Sequence, residues 1–423
     1  MATTIQKPRG TQDVLPKQIA IWQYIEQQLR ETCTRFNYKE IRTPMFEHIE
    51  LFKRGVGDTT DIVSKEMYDF FDKGNRHIAL RPEGTASTVR AYVENKLYGE
   101  TDIQKLYYLG PMFRYERAQK GRLRQFNQFG IEALGSFDPM IDAEVVALAM
   151  DFYQNLGLAN IKLVINTLGD LESRLAHRQA LVAHFTPVVE ELCQDCQSRL
   201  EKNPLRILDC KVDAKHPSMA TAPKIIDYLN DESRVYFETV LATLTQMEIP
   251  YVVDPTLVRG LDYYNHTAFE IMLDDPNFGA QTTLCGGGRY NGLVEQLGGP
   301  ATPGIGFGLG IERLILALEQ QNVTLPITDQ LDVYVMGLGA NAKTASAKLL
   351  NQVRQAGLSG EMDYQGRGMK AMFKAANRVQ AKYAIILGEE ELANHVCQVK
   401  NLVEATQETI ALNDVVAYLQ ANQ

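Results

Sequence analysis

Five basic side chains, Arg114, Arg117, Lys120, Arg122 and Arg124, fall in the stretch GPMFRYERAQKGRLRQFNQFGIEALG (110–135), and from Arg114 to Arg124 only one acid, Glu116, stands among them. The whole chain carries a formal net charge of −9. The cluster therefore runs against the global field and suits a polyanion such as a nucleotide or nucleic acid. A solvated hairpin tip would also account for the charge alone. Two neighbours argue for a site. Apolar and aromatic alternation around Met112–Tyr115 and Phe126–Ala133 predicts two strands, with Arg114 and Gln128 at the roots of the hairpin, where long polar side chains need a partner. Glu132, four residues past Gln128, falls on the same strand face. An amide and a carboxylate thus line one surface beside a guanidinium.

Other stretches carry similar residues. RPEGT puts Glu83 at the end of a predicted strand and Thr85 at the start of a helix, a position that suits a ligand contact or the helix macrodipole equally. VRGLDYYNHTAFEIML (258–273) places Arg259 ahead of an alternating run, predicted as a strand with Tyr263 and Tyr264 on opposite faces. A buried Arg259 would need an anion. In PGIGFGLGIERLILALE (303–319), glycines at 304, 306, 308 and 310 share one strand face and predict a floor bare of side chains, with Arg313 opening a helix. The dinucleotide spacing G-x-G-x-x-G fails there, because its third glycine is Arg313. Three glycines in CGGGRYNGL (285–293) permit close backbone approach to a ligand. Cys193, Cys196, Cys210 and His216 could ligate zinc, or could be packing cysteines on a helix and its following loop. No Ser–His or Cys–His pair stands out as a nucleophile.

These groups need elements to hold them, and 423 residues suffice for two or three domains. Hydrophobic content of 45% and charged content of 22% are those of an ordinary globular protein. No apolar run approaches the ~18 residues of a membrane span, and the first residues have no apolar signal region. Six scattered cysteines suit a reducing cytoplasm. In order, the pattern predicts a helix over 17–35, strand over 38–44 and at Phe46, two strands around DKGN, a helix after Gly84, a helix over 142–157 and a strand at IKLVIN. From about 170 to 250 it turns mainly helical. A polar linker over 320–330 precedes a β–α alternation that predicts a small α/β domain. Lys370, Lys374, Arg378 and Lys382 recur there every four residues as a basic ridge.

FRYERAQKGRLRQFNQFGIE resembles motif 2 of a class II aminoacyl-tRNA synthetase in its histidyl form, PGIGFGLGIERL resembles motif 3, and RPEGT, VRGLDYYN and CGGGRYNGL are similar to further histidyl-type segments. The first helix–strand pair resembles motif 1, through which these enzymes dimerise. The resemblance covers essentially the whole chain. It implies an α+β fold: a class II antiparallel sheet flanked by helices over 1–325, with a helical insertion at about 170–250, and an α/β anticodon-binding domain over 331–423. It implies an enzyme making histidyl-adenylate and then histidyl-tRNA, a cytoplasmic homodimer whose partners are L-histidine, ATP with Mg2+, and tRNA(His).

The site residues follow by the same resemblance. Arg114 grips the ATP α-phosphate, Glu116 and Phe126 meet adenine and Arg313 meets ATP. Glu83 and Thr85 hold the histidine ammonium. Arg259 contacts the substrate carboxylate and α-phosphate, so Arg114 and Arg259 are the catalytic pair. Gln128, Glu132, Tyr263 and Tyr264 surround the histidine, and Arg117, Lys120, Arg122 and Arg124 reach the tRNA acceptor end. No metal held by the protein is implied. Ser87, Asn127 and Asn291 depart from the usual proline, histidine and aspartate. The competing reading is a catalytically inactive, histidyl-synthetase-like regulatory subunit, but such paralogues lack the C-terminal domain.

Overall fold

The computed structural model describes residues 4–422 apart from 58–59, 61, 120, 260, 262, 276–281 and 329. The chain divides into two compact units, Met1–Leu325 and Pro326–Gln423.

In the first unit, helix α1 (Pro16–Arg35) buries Trp22, Ile25, Leu29 and Cys33 on one stripe, with Pro16 in the first turn where no backbone donor is required. Strands β1 (Lys39–Glu40) and β2 (Phe46–His48) are shorter than the sequence pattern predicts. Between them the Thr43 carbonyl accepts a hydrogen bond from the Arg81 guanidinium (2.9 Å) instead of joining a ladder, and Pro44 has no N–H to offer. Helix α2 (Ile49–Val56), strands β3 (Asp69–Phe71) and β4 (His77–Leu80) and helix α3 (Thr85–Glu94) follow. The hairpin of β5 (Gln104–Phe113) and β6 (Gln125–Leu134) runs in register from Gln104–Leu134 to Phe113–Gln125. Arg114 therefore stands just past β5 rather than inside it, although its N–H still donates to the Arg124 carbonyl (2.9 Å).

Helix α4 (Pro139–Asn155) starts three residues before the predicted Asp142, because the Asp138 carboxylate accepts the Met140 N–H (2.8 Å) and Pro139 fits the first turn. Strand β7 (Ile161–Thr167) leads into a helical segment of α5 (Leu171–Phe185), α6 (Gln194–Lys202), α7 (Pro217–Ala220) and α8 (Asp231–Gln246). The continuous helix expected around Cys193 and Cys196 is broken: Thr186–Glu191 is a 3-10 turn and Cys193 is the N-cap of α6. Strands β8 (Tyr251–Val253), β9 (Asn265–Leu273) and β10 (Thr283–Tyr290), helix α9 (Leu293–Gln296), strand β11 (Gly304–Gly310) and helix α10 (Ile311–Gln320) complete the unit.

Eight of these strands form one sheet in the order β1-β5-β6-β11-β10-β9-β7-β8. Pairing is antiparallel from β5 through to β7, and parallel only at the β1 and β8 edges. The pleat divides the residues by face. Phe129, Ile131, Ile305, Phe307, Leu309, Phe269 and Ile271 enter a core shared with α1, α4, α8 and α10. The intervening Gln128, Glu132, Glu270 and the alternate glycines of β11 turn to the opposite face. One fully buried ion pair, Arg289 with Asp142, ties β10 to α4, and Tyr236 of α8 donates to the same carboxylate (3.1 Å).

The second unit consists of β12 (Val333–Gly337), α11 (Ala340–Gln355), β13 (Gly360–Met362), α12 (Met369–Arg378), β14 (Tyr383–Leu387), α13 (Glu389–Ala393), β15 (Val396–Asn401), β16 (Gln407–Ala411) and α14 (Val415–Ala421). Its sheet order is β13-β12-β14-β15-β16, parallel through β13-β12-β14 and antiparallel beyond. The predicted basic ridge is shorter than its spacing suggests. Lys370, Lys374 and Arg378 are exposed on α12, but the helix ends at Arg378. Lys382 instead donates to the Asn422 carbonyl (2.8 Å).

Candidate active site

The face of the sheet turned away from the core opens into a cavity of about 250 Å³. Residues far apart in sequence meet there: Glu83 and Thr85 from the start of α3, Arg114, Glu116 and Arg122 from the loop after β5, Phe126 and Gln128 from β6, and Arg259, Tyr263 and Tyr264 from the approach to β9. Arg313 comes from α10.

Three guanidinium groups enter from different elements. Arg114 donates to the Pro82 carbonyl (2.8 Å), lies 3.8 Å from Glu116 and stacks near the Phe126 ring (5.4 Å). Arg313 donates to the Thr283 carbonyl (2.7 Å); burial pulls its pKa below the usual arginine range, with Arg122 adding to the effect. Arg259 is ion-paired with Glu270, whose other oxygen accepts from the Thr283 hydroxyl (2.8 Å). Burial opposes the Arg259 charge, but Tyr264 and Glu270 more than offset it, so its pKa is raised. A side chain at Gly286 would overlap the Arg259 guanidinium, which explains one glycine of the CGGG run.

The acceptor side is equally built. Both oxygens of buried Glu83 accept backbone N–H groups at the head of α3, from Thr85 (2.7 Å) and Ala86 (2.8 Å). The helix-terminus reading of Glu83 is thus realised, and the same carboxylate also lines the cavity. Burial raises its pKa, partly countered by those N–H groups. Glu132 lies beneath the cavity wall, fully buried, with one oxygen accepting from the Tyr290 hydroxyl and the other without a hydrogen-bond partner. Burial pushes its pKa up to about 8; the Tyr290 and Thr85 hydroxyls counter this and Glu83 adds to it. Gln128 Oε1 and Arg259 Nε are also buried without partners. Such atoms mark where a polar ligand would complete the network.

Several expectations need correction. Tyr263 and Tyr264 do not lie on opposite faces of a strand. Strand β9 begins at Asn265, so both precede it, with ring centroids 4.6 Å apart in one buried cluster. The glycine face of β11 is open only at Gly310; Tyr290, Glu132 and Gln128 fill the space over Gly304, Gly306 and Gly308, although Gly308 still lines the cavity. The basic loop is not uniformly presented to solvent. Arg117 is exposed, whereas Arg122 pairs with Glu116 (3.1 Å) and Arg124 stacks on Tyr115 (3.9 Å). Lys120 lies outside the described residues. His216 does not join the cysteines: its ring faces Glu191 (3.2 Å) and Ser218 (2.7 Å).

Other residues of the site carried no mark in the sequence reading. Glu270 is one, although an acid inside the apolar run of β9 is a signal that it is paired. Tyr108 lines the cavity, and Glu312 accepts the Asn127 backbone N–H at 2.9 and 3.0 Å, holding α10 against β6.

Comparison with known proteins agrees with this geometry. The family described as Histidyl-tRNA synthetase matches residues 10–314, and the family described as Anticodon binding domain matches residues 332–422. Histidine--tRNA ligase 1 of Shouchella clausii is 61% identical over 418 residues, covering 99% of this chain and 98% of that protein. The histidine--tRNA ligase of Halalkalibacterium halodurans is 62% identical over 417 residues, covering 98% and 97%. The crystal structure of apo S. aureus histidyl-tRNA synthetase superposes with a TM-score of 0.86 at 50% identity, covering 99% of this chain and all of that one. A cavity lined by arginines and acceptors, on an antiparallel sheet that such relatives share nearly end to end, places this chain in the histidyl-tRNA synthetase family.

Proposed function

We propose that this protein joins L-histidine to ATP as histidyl-adenylate and then transfers the histidyl group to the 3′ end of tRNA(His). The observation that carries this reading is the convergence of Arg114, Arg259 and Arg313 with Glu83 and Gln128 around one cavity, with Glu132 buried beneath its wall. A carboxylate oxygen of histidine attacks the α-phosphorus, the bond to the bridging oxygen breaks, and pyrophosphate leaves. The substrate supplies the nucleophile, so the protein's task is to position two anions and stabilise the charge that builds on the non-bridging oxygens. Arg114 and Arg259 take the α-phosphate and the carboxylate, and Arg313 the rest of the triphosphate. Phe126 and Glu116 take the adenine. Glu83 and Thr85 take the ammonium, while Gln128, Glu132, Tyr263 and Tyr264 enclose the imidazole.

Magnesium fits this cavity as a companion of the nucleotide. Glu116 and Glu312 line the wall but are already engaged, by Arg122 and by the Asn127 N–H. A Mg2+ ion would therefore be held largely by phosphate oxygens and water, with these carboxylates nearby, and would neutralise charge on the triphosphate. Histidine-dependent ATP–pyrophosphate exchange, measured across the standard amino acids, tests the reading. Exchange with histidine alone is the expected result; exchange with a different amino acid, or none, would overturn it.

The exposed Arg117 is the tRNA contact this geometry supports best, and Arg122 is more concerned with the cavity. The C-terminal unit is the candidate anticodon reader, through the exposed Lys370, Lys374 and Arg378. Deleting 326–423 should leave histidine-dependent exchange largely intact, because the first unit has its own core, while weakening tRNA charging and flattening its salt dependence. Unchanged tRNA affinity in filter binding would refute this role.

A homodimer in the cytoplasm completes the proposal. Its support is the small β2-β4-β3 sheet, which leaves Phe46 58% exposed and Phe71 62% exposed beside the segment that resembles motif 1. Changing both to glutamate should shift the protein from dimer to monomer in sedimentation, and a wild-type monomer would remove the basis for it.

A further inference from the structure

The geometry points to a structural zinc site in the helical segment between β7 and β8, formed by Cys193, Cys196, Cys210 and Asp213. Their candidate ligand atoms all lie within 4.8 Å of one another. The Cys193 and Cys210 sulfurs are 3.7 Å apart, and the Cys210 sulfur is 3.6 Å from Asp213 Oδ2. A tetrahedral zinc with Zn–S near 2.3 Å and Zn–O near 2.0 Å would set sulfur–sulfur edges of about 3.8 Å and sulfur–oxygen edges of about 3.5 Å. These two edges already have the spacing that the ion would impose, and a small contraction of the rest would close the tetrahedron. Thiol hydrogen bonds would explain one such pair, but not the convergence of three sulfurs and a carboxylate, three of the four residues being buried.

The surroundings suit metal-bound thiolates. Cys193 is the N-cap of α6, where the helix dipole favours a negative sulfur. The Asp213 N–H donates to the Cys210 sulfur (3.5 Å), and the Asp213 carboxylate accepts the Cys193 N–H (3.1 Å), so backbone hydrogen bonds hold the ligand residues against one another. Lys211 and Lys215 flank Asp213 in sequence and offset the net negative charge of such a complex. The site also answers a need of the fold. The core here contains Leu181, Phe185, Leu192, Leu200 and Ile207 with Cys196 and Cys210, separate from the main core. A satellite core of that size gains much from a cross-link between the start of α6 and the turn after Ile207.

The test uses the full chain, isolated under reducing conditions from cells grown with added zinc. Mass spectrometry of the metal content should find about one zinc per chain, and metal-free protein titrated with Co2+ should show sulfur-to-cobalt charge-transfer bands with intense tetrahedral d–d bands. Cys210→Ser should weaken cobalt binding by more than about 100-fold, and Asp213→Asn by at least about tenfold. His216→Ala should leave the spectrum and the zinc content unchanged. A wild-type protein without zinc and without a thiolate–cobalt spectrum would overturn the proposal. So would loss of the metal in His216→Ala, or a Cys193–Cys210 disulfide found in the freshly isolated protein. Should Cys210→Ser fail to fold, the wild-type spectrum and the contrast between Asp213→Asn and His216→Ala still decide.

Discussion

Replacing Arg259 by histidine should slow adenylate formation by about 10²–10³-fold, the scale of a lost transition-state donor, and should affect transfer from preformed adenylate to tRNA far less. Activation brings the histidine carboxylate against the α-phosphate, two anions in a partly dry cavity where repulsion is strong. Arg114 approaches from the hairpin side. A second cation brought by another element would relieve the repulsion and orient the attack, and Arg259 is held in the cavity by Glu270 and by the absence of a side chain at Gly286. Its Nε is buried without a hydrogen-bond partner. Histidine at 259 cannot span the same contacts with a forked pair of donors. Single-turnover kinetics with activation and transfer measured separately would check this. Equal slowing of both steps, or of neither, would make Arg259 a structural residue. Gly286→Ala offers an independent check: it should displace the guanidinium without removing it and should again depress activation more than transfer.

The sequence made some of this arrangement visible and hid the rest for identifiable reasons. Period-2 alternation was enough to pair Gln128 with Glu132 and to separate them from Phe129 and Ile131, because β6 is regular along its whole length. It failed at Tyr263 and Tyr264, where the chain has not yet entered β9 and the pleat does not apply. The bare floor predicted from four glycines is occupied over three of them, since the side chains that fill it, Tyr290, Glu132 and Gln128, come from neighbouring strands that one-dimensional spacing cannot bring together. Charge counting marked the basic loop but not which members fold inward; that depends on the Glu116 carboxylate and the Tyr115 ring. The cysteine cluster shows the same limit. His216 is the stronger ligand type, yet the turn after Cys210 returns Asp213 to the sulfurs and carries His216 away.

Histidine affinity should be greatest between about pH 6.5 and about 8 and should weaken above that window, by about tenfold per pH unit at first. The cause is Glu132, whose pKa burial raises from an ordinary 4.5 to about 8. At neutral pH the unliganded protein therefore holds a proton on this carboxyl, while free imidazole, with a pKa of ~6.5, has lost its own. The two partners bring one proton between them. That proton can sit on either side of a carboxyl–imidazole hydrogen bond, so binding requires no proton from solvent. Above the window neither partner carries it and it must be taken up; below the window both carry one and a proton must be released. The same shift has a sign for stability. A carboxyl held protonated by the fold contributes stability that is present below its ordinary pKa and lost as pH rises through about 8. Glu132→Gln keeps the shape but cannot exchange the proton. It should raise the histidine KM by about 10–100-fold, the scale of a lost charge-assisted hydrogen bond, and leave the ATP KM nearly unchanged. It should also remove the alkaline limb of the affinity profile and flatten the unliganded protein's loss of stability between about pH 4.5 and 8. Calorimetric titration of histidine at several pH values, in buffers of different ionisation enthalpy, reports both affinity and proton uptake. An alkaline limb that persisted in Glu132→Gln would belong to another group, and Glu132 would then be a buried support for Tyr290 rather than the partner of the substrate ring.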